Sequence, residues 1–306
     1  MFAALGSQPA QQYRLREPNI RLDVNLVLVP VNVTDQRGAT VTGLDRGQFQ
    51  IFEDRIRQPI VSFSREDSPV SVGVVFDLSG SMKNKIDEAR RASAALFRTA
   101  NPGDEAFLIA FATRPETPTG FTSDTSRIQA GLGQARAHGS TALVDAVYLA
   151  LNRMRKARNQ RRALVVISDG MDNHSRYTKA ELRSLALETD VQIYTVAIFE
   201  PARDLKPIQM DQERAGVALL EDLSRVTGGL HFALTGAADI PPVAARIGTA
   251  LHNVYVIGYR PPGGIEGYRR IQVKATVKNL RLAARPGYYA ASAGLPPPRE
   301  ERVLRP

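Results

Sequence analysis

Hydrophobic and polar residues follow two different periods along this chain, and the change of period separates its regions. From Leu22 to Leu28 apolar side chains recur at every second position, and Val27, Val29, Val31 and Val33 continue the β-rich run, which predicts a β-strand. Shorter strand-like runs follow at residues 49–54 and 59–63, after a turn signal at 35–38. Because this stretch shows no helical period, we predict part of an antiparallel sandwich here.

The pattern changes at Val70. Val70 to Phe76 is a nearly continuous apolar run, typical of a parallel strand that is covered on both faces. Strand and helix patterns then alternate as far as residue 251, which predicts a doubly wound, mostly parallel, Rossmann-like α/β sheet. The further predicted strands are 106–111, 163–168, 191–198 and 230–233, and the predicted helices are 83–100, 126–137, 143–157, 179–188, 215–227 and 240–251.

A β pattern returns after residue 252, at 253–259 and again between 268 and 289. This tail is too small to fold well alone. We therefore expect it to pair with the first β region, so that the α/β domain is inserted into one discontinuous antiparallel β-sandwich domain. The expected organisation is a flexible lead (1–19), a first β part (20–68), the α/β domain (69–251), a second β part (252–290) and a disordered tail (291–306).

The amino-acid composition limits which metal ligands and nucleophiles the chain can supply. The chain has no cysteine, which excludes disulfides, thiolate zinc sites and a cysteine nucleophile. Its four histidines include no pair at the helical i, i+4 spacing, so any bound metal is expected to have oxygen ligands. No apolar run approaches the length of a transmembrane helix.

The formal net charge is +9, and much of the excess lies in the stretch Arg153–Arg162. One interpretation is the solvated end of a helix, where cations also favour the negative end of the helix dipole. The other is a docking patch for an acidic partner, nucleic acid or an anionic surface.

The most informative motif is Asp77-Leu78-Ser79-Gly80-Ser81, where the first parallel strand turns into a helix. Ligands of open α/β sheets bind at the carboxyl ends of strands, near the topological switch point. Alone, the motif also fits a turn with serines that cap the helix. Thr141 before another helix and Asp169 after another strand add oxygen ligands. Three loops then offer oxygens to one crevice.

In this order and on these elements, Asp77, Ser79, Ser81, Thr141 and Asp169 resemble the metal-ion-dependent adhesion site of the von Willebrand factor type A (VWA) family. The resemblance covers roughly residues 70–250. It implies one Mg²⁺ ion, or Mn²⁺ or Ca²⁺, coordinated by the serines and the threonine directly or through water. The two aspartates would act largely through water and hydrogen bonds. An Asp or Glu of a protein partner would complete the coordination shell.

The flanking β regions indicate one branch of this family. Asp35–Gly38, Phe49–Asp54, Gly258–Pro261 and Arg285–Tyr288 are similar to a bacterial VWFA-related branch that is usually exported. A periplasmic or secreted location is therefore expected. Met1–Ser7 lacks a basic start and is too short for a complete signal peptide, and we interpret it as the end of a longer one.

Other polar residues near these motifs are interpreted as structural. Asp172 and Asn173 fit a turn, and Asp145 fits a helix cap or an intrahelical pair. His138 and His174 are expected on exposed loops. Tyr177 is a candidate for the rim of the site.

Binding is favoured over catalysis. The chain has neither a hydrolase triad motif nor a phosphate-binding loop, and a single hydroxyl-rich metal site has no evident base. The leading hypothesis is a non-enzymatic, metal-dependent adhesion or scaffolding protein. The alternative is a nucleic-acid or anionic-surface binder that uses Arg153–Arg162 and a structural metal, although nucleic acid is not expected. A metal-dependent hydrolase is the least favoured hypothesis.

Overall fold

The computed structural model describes residues 26–66, 68–83, 85–133, 136–198, 207–235, 237–263 and 266–290. The predicted flexible lead and disordered tail lie outside these ranges. The strands are β1 (Val27–Thr34), β2 (Phe49–Glu53), β3 (Ile56–Gln58), β4 (Ser62–Glu66), β5 (Val70–Asp77), β6 (Glu105–Phe111), β7 (Pro115–Thr122), β8 (Arg161–Ser168), β9 (Gln192–Ile198), β10 (His231–Leu234), β11 (Val254–Tyr259), β12 (Gly267–Ala275), β13 (Arg281–Ala284) and β14 (Gly287–Ala290). The helices are α1 (Ile86–Leu96), α2 (Thr125–Gly133), α3 (Leu143–Met154), α4 (Lys179–Glu188), α5 (Pro207–Thr227) and α6 (Ile240–Leu251). Within the described ranges, no helix is long and apolar enough to cross a membrane.

A six-stranded sheet forms the centre of the α/β segment, which we define as β5 through α6. Its strand order is β10-β9-β8-β5-β6-β7. The strands from β10 to β6 pair in parallel, and the edge strand β7 pairs antiparallel to β6. The structure thus confirms the prediction of a mixed α/β fold with a mostly parallel sheet.

Helices cover both faces of this sheet. Val72, Val74 and Phe76 of β5 belong to a buried cluster with residues of α1, α2 and α6. Val75 points to the opposite face, where it joins a cluster with α3, α4 and α5. Since β5 supplies buried residues to both clusters, its sequence is continuously apolar rather than alternating.

The sheet reverses its order at β5. The next strand along the chain, β6, lies on one side of β5, and β8 lies on the other. The connections that follow β5 and β8 therefore leave in different directions, which opens a crevice at the carboxyl ends of these two strands. Asp77 and Ser168 are the last residues of the two strands.

Two four-stranded antiparallel sheets lie outside the α/β segment, with strand orders β13-β1-β11-β4 and β14-β12-β2-β3. Each sheet combines strands from before and after the α/β segment. In the first sheet, β1 pairs with β11 from Val27 opposite Tyr259 to Val31 opposite Tyr255. Side chains from both sheets, among them Val31, Ile51 and Tyr255, belong to one buried cluster.

These antiparallel sheets contact the α/β segment at the amino ends of its strands. The Asn32 side chain of β1 donates to the Gly228 carbonyl at 2.9 Å and accepts from the Tyr194 hydroxyl at 3.1 Å. Arg161 donates to the carbonyl of Ser68, in the connection before β5, and to that of Leu251, the last residue of α6. The crevice at the carboxyl ends consequently faces away from the antiparallel sheets.

Strand boundaries differ from the predictions in two places. Strand β7 has no predicted counterpart, because Pro115, Pro118 and its polar residues hide the strand pattern; prolines are tolerated at the edge of a sheet. The run 59–63, predicted as one strand, instead spans the connection between β3 and the start of β4.

Helix boundaries also differ from the predictions. The helix predicted at 83–100 is restricted to α1, and short 3₁₀ turns lie on either side of it at Gly80–Met82 and Phe97–Thr99. Helix α5 begins at Pro207 rather than at 215. Its charged first half hides the helical period.

The packing of β5 predicts a large difference between two glycine substitutions. A methyl group added at Gly73 would lie 2.4 Å from both Leu164 Cδ2 and Phe107 Cζ, whereas one added at Gly133 meets no atom within 4 Å. We expect Gly73→Ala to lower the free energy of unfolding by about 1–3 kcal/mol. Gly133→Ala should change it by less than about 0.5 kcal/mol. Urea denaturation measures both, and equal stabilities would contradict this packing.

Candidate metal centre

Asp77 lies at the end of β5 and is completely buried. Its Oδ1 accepts a hydrogen bond from the backbone N–H of Ser79 at 2.8 Å. Its Oδ2 accepts one from the hydroxyl of Ser168, the last residue of the neighbouring β8, at 2.5 Å. The carboxylate is therefore oriented by both strands that border the crevice.

The loop after Asp77 places two serine hydroxyls together. Ser79 Oγ and Ser81 Oγ lie 3.1 Å apart, at the start of the 3₁₀ turn Gly80–Met82. Ser79 is buried, and Ser81 is half-buried. The Gly80 N–H donates to the Gly139 carbonyl at 3.2 Å, which ties this loop to the one that carries Thr141.

Thr141 is buried and is bonded to the loop that follows Asp169. Its N–H donates to Asn173 Oδ1 at 2.9 Å, and its carbonyl accepts from the N–H groups of Asn173 and His174 at 3.0 Å each. The three loops that carry the predicted residues thus form one hydrogen-bonded unit. The hydrogen bonds described here do not join the Thr141 hydroxyl to the other site residues.

Asp169 follows β8 and is also buried. Its Oδ1 accepts from the Met171 N–H at 3.1 Å. Its buried Oδ2 has no hydrogen-bond partner within the described ranges. An unpartnered buried carboxylate oxygen is costly, so this atom is suited to a cation or to a water bound by one.

The two buried carboxylates make the site electrostatically unfavourable when both are charged. Burial, followed by the negative charge of Asp169, raises the pKa of Asp77 from 3.8 to about 7, against smaller lowering effects of the hydrogen bonds from Ser168 and Ser79. A cation between the carboxylates would relieve both causes of the rise.

The available donors fit a hard cation. Two carboxylates and three hydroxyls are oxygen donors of the kind that Mg²⁺ and Ca²⁺ bind. In the described part of the chain, no group of three or more His, Cys, Asp or Glu side chains is placed to hold a metal. A metal at this site would therefore depend on the hydroxyls.

Two acidic residues, one predicted to cap or pair within α3 and one predicted to form a turn, hold the site loops in place. Asp145 Oδ1 accepts from the N–H groups of Arg176 and Tyr177, at 2.8 and 3.0 Å. Asp172 Oδ1 accepts from the Ser175 hydroxyl at 2.5 Å. Their positions close to Thr141 and Asp169 in the sequence were the signal from which this role could have been predicted. The contact of Ser168 with Asp77 had no local signal, because the two residues are 91 positions apart.

The aromatic and histidine side chains near the site are not part of its hydrogen-bonded unit. Tyr177 is exposed, as the sequence suggested for a rim residue, and its ring stacks on that of Tyr148 in α3 with 3.8 Å between centroids. His138 and His174 are exposed.

The basic stretch Arg153–Arg162 is largely occupied by internal contacts. The Arg153 guanidinium lies over the Phe107 ring, 5.7 Å from its centroid. Arg158 lies 3.5 Å from the Glu105 carboxylate, and Arg161 donates to the carbonyls of Ser68 and Leu251. The start of the stretch does mark a helix end, because Arg153 lies in the last turn of α3 and Arg155 is its C-cap.

Comparison with known families agrees with this arrangement. Residues 72–171, from β5 to just beyond Asp169, match the family model of the von Willebrand factor type A domain. The chain therefore contains a VWA domain. No curated protein matches the sequence.

Several solved structures are similar to this chain at low sequence identity. One is proximal thread matrix protein 1 from the mussel byssus, solved with zinc in its metal-ion-dependent adhesion site (MIDAS) motif. It is 14% identical, with a TM-score of 0.50 over 66% of this chain and 50% of that chain. A von Willebrand factor type A protein from Catenulispora acidiphila is 13% identical, with a TM-score of 0.49 over 77% and 74% of the two chains. The conserved hypothetical protein BatB from Bacteroides thetaiotaomicron is 19% identical, with a TM-score of 0.46 over 59% and 98%. At these identities the likeness concerns the fold alone.

The raised pKa of Asp77 predicts a pH-dependent stability in EDTA. A group whose folded-state pKa is raised contributes stability below its unfolded pKa and loses it as pH rises through the folded value. The free energy of unfolding should therefore fall by about 2–4 kcal/mol between pH 4 and pH 8. Urea denaturation across this range measures the fall. Excess Mg²⁺ should reduce this fall. If the difference in unfolding free energy between Mg²⁺ and EDTA did not change with pH, the expectation would be contradicted.

Removing one of the two carboxylates should stabilise the metal-free protein. Asp169→Asn eliminates the negative charge beside Asp77, so we expect the free energy of unfolding in EDTA at pH 8 to rise by about 1 kcal/mol. The same variant should lose most of its stabilisation by Mg²⁺. Asp87→Asn, at an exposed position of α1, is the matched control and should change the stability by less than about 0.5 kcal/mol. Destabilisation of Asp169→Asn in EDTA would count against the repulsion.

Proposed function

We propose that this protein is a non-enzymatic, metal-ion-dependent ligand-binding module of the adhesion or scaffolding type. The observation that carries the proposal is the buried, unpartnered Oδ2 of Asp169 near the buried Asp77 carboxylate, within three mutually bonded loops. Such a site is electrostatically unfavourable without a cation, and stability is commonly sacrificed at functional sites.

In this proposal Ser79, Ser81 and Thr141 coordinate one divalent ion directly or through water. Asp77 and Asp169 orient the hydroxyls and the coordinated waters. The Ser79–Ser81 contact at 3.1 Å and the bonds that hold Asp77 support this division, because Asp77 already accepts from Ser79 and Ser168. Mg²⁺ is the favoured ion, and Mn²⁺ or Ca²⁺ are alternatives with the same preference for oxygen.

The proposed ligand is an Asp or Glu carboxylate of a protein partner. Hydroxyl and water ligands leave the ion with most of its charge, so an anionic oxygen is a favourable addition to its shell. The exposed Gly80 and the half-buried Ser81 place the site close to the surface, where a partner side chain can reach it.

We further propose that the two antiparallel sheets form one discontinuous β-sandwich domain, residues 20–68 and 252–290, with the VWA domain of residues 69–251 inserted into it. The mixed strand order of both sheets and their shared buried cluster support this division. A periplasmic or secreted location follows from the resemblance of the β regions to exported bacterial proteins.

Catalysis and nucleic-acid binding are not proposed. No contact in the described part of the site gives a metal-bound water an obvious base, and the basic stretch Arg153–Arg162 is engaged as described above. The fold similarity to a protein with zinc in its MIDAS motif fits a metal-dependent role, although that likeness concerns the fold.

Single hydroxyl deletions test the proposal. Ser81→Ala and Thr141→Ala should each weaken Mg²⁺ binding by tenfold or more, roughly, because each removes a proposed ligand. Thr249→Ala, at an exposed threonine of α6, should leave it unchanged. Isothermal titration with Mg²⁺ and Mn²⁺ measures the affinities, and circular dichroism checks that each variant is folded.

Partner capture from the native host, with Mg²⁺ or EDTA, extends this test to function. The partner should be retained in Mg²⁺ and lost in EDTA, and lost with Asp77→Ala and Ser81→Ala. Capture that is insensitive to chelation and to both substitutions would refute a metal-dependent ligand site.

A further inference from the structure

The loops around the candidate metal centre carry exposed basic side chains. Lys83 follows the two serines, Arg136 precedes Thr141, and Arg176 and Lys179 follow Asp169. All four residues are exposed. We call them the cationic rim.

Hydrogen bonds place these cations around one site. The His138 N–H donates to the Leu78 carbonyl at 2.8 Å, which holds the loop of Arg136 against the loop of Lys83. The Arg176 N–H donates to Asp145 in the first turn of α3, just after Thr141. The cationic rim is therefore assembled from three separate loops, on the side of the molecule that faces away from the antiparallel sheets.

The acidic side chains of the same region are bonded to backbone and hydroxyl groups of the loops. Asp145 and Asp172 accept hydrogen bonds from the loops themselves, and Glu181 accepts from Thr178 at the start of α4. Glu116 lies 3.8 Å from Arg114. Between described residues, no ion pair joins any of the four rim cations to an acidic group. The four exposed cations of the rim outnumber the three acidic side chains Asp145, Asp172 and Glu181 by one, so the rim carries a small excess of positive charge beside the proposed divalent ion.

We propose that this face selects a protein segment in which the coordinating Asp or Glu is flanked by further acidic residues. This inference rests on the proposed function and specifies its ligand. A single exposed ion pair contributes little, but several acting together are expected to raise affinity by about tenfold and to accelerate association. Because exposed charges are screened, the preference should decrease as ionic strength rises.

An acidic peptide fits the rim better than a nucleic acid does. The exposed aromatic ring of these loops, Tyr177, stacks on Tyr148 and so offers only one face to a base. The cations surround a single proposed coordination position instead of following a groove for a continuous phosphate backbone. A partner that offers one central carboxylate with acidic neighbours satisfies both features.

Two labelled peptides test the inference on the full chain. One has a central Asp flanked on each side by Glu-Glu, and the other has the same Asp flanked by Gln-Gln. Fluorescence anisotropy is measured in Mg²⁺ and in EDTA, at low salt and at about 0.15 M salt. We expect both peptides to require Mg²⁺ and the Glu-flanked peptide to bind about tenfold more tightly at low salt.

Charge reversals identify the surface responsible. Arg136→Glu with Arg176→Glu should remove the tenfold preference while the Gln-flanked peptide keeps its affinity for the metal site. The matched control, Arg155→Glu with Lys156→Glu, changes the same charge at the opposite end of α3 and should keep the preference.

The outcomes separate the inference from the proposed function. Equal, Mg²⁺-dependent binding of both peptides would overturn the acidic preference and leave the proposed function intact. Binding of neither peptide in Mg²⁺ would contradict both. Displacement of the Glu-flanked peptide by single-stranded DNA more effectively than by polyglutamate would overturn the choice of partner.

Discussion

Two buried carboxylates at the ends of neighbouring parallel strands are the constraint around which the site is organised. Asp77 ends β5 and Asp169 follows β8, and burial, followed by the charge of Asp169, raises the pKa of Asp77. In the described part of the chain, hydrogen bonds from Ser168, Ser79 and the loop amides hold this pair. In the proposed function, an external ion supplies the positive charge that balances the pair.

The repulsion is tolerable because the surrounding fold is well packed. Alternate residues of β5 enter the two buried clusters on either side of the sheet, so the strand that carries Asp77 is fixed over its whole length. The same packing explains the continuous apolar run from Val70, from which the α/β fold was predictable. Local sequence patterns were sufficient to predict a strand or helix wherever the segment was both regular and buried.

Prediction failed where the relevant neighbours are distant in sequence. Ser168 contacts Asp77 because Phe76 pairs with Ile167 in the sheet, and no local pattern contains that register. Strand β7 was hidden by its prolines, which its edge position tolerates. Charge was the most misleading signal. The contiguous basic stretch from Arg153 is largely engaged internally, whereas the cations beside the site are dispersed over Lys83, Arg136 and Arg176.

The attachment of the antiparallel sheets at the amino ends of the central strands has a mechanical consequence. A partner held at the carboxyl ends would pull on one end of the central sheet, while its other end is held by β1 through Asn32 and by the connection before β5 through Arg161. Tension would then run along the strands. In that direction the hydrogen bonds between parallel strands are loaded in shear and resist together, instead of opening one at a time.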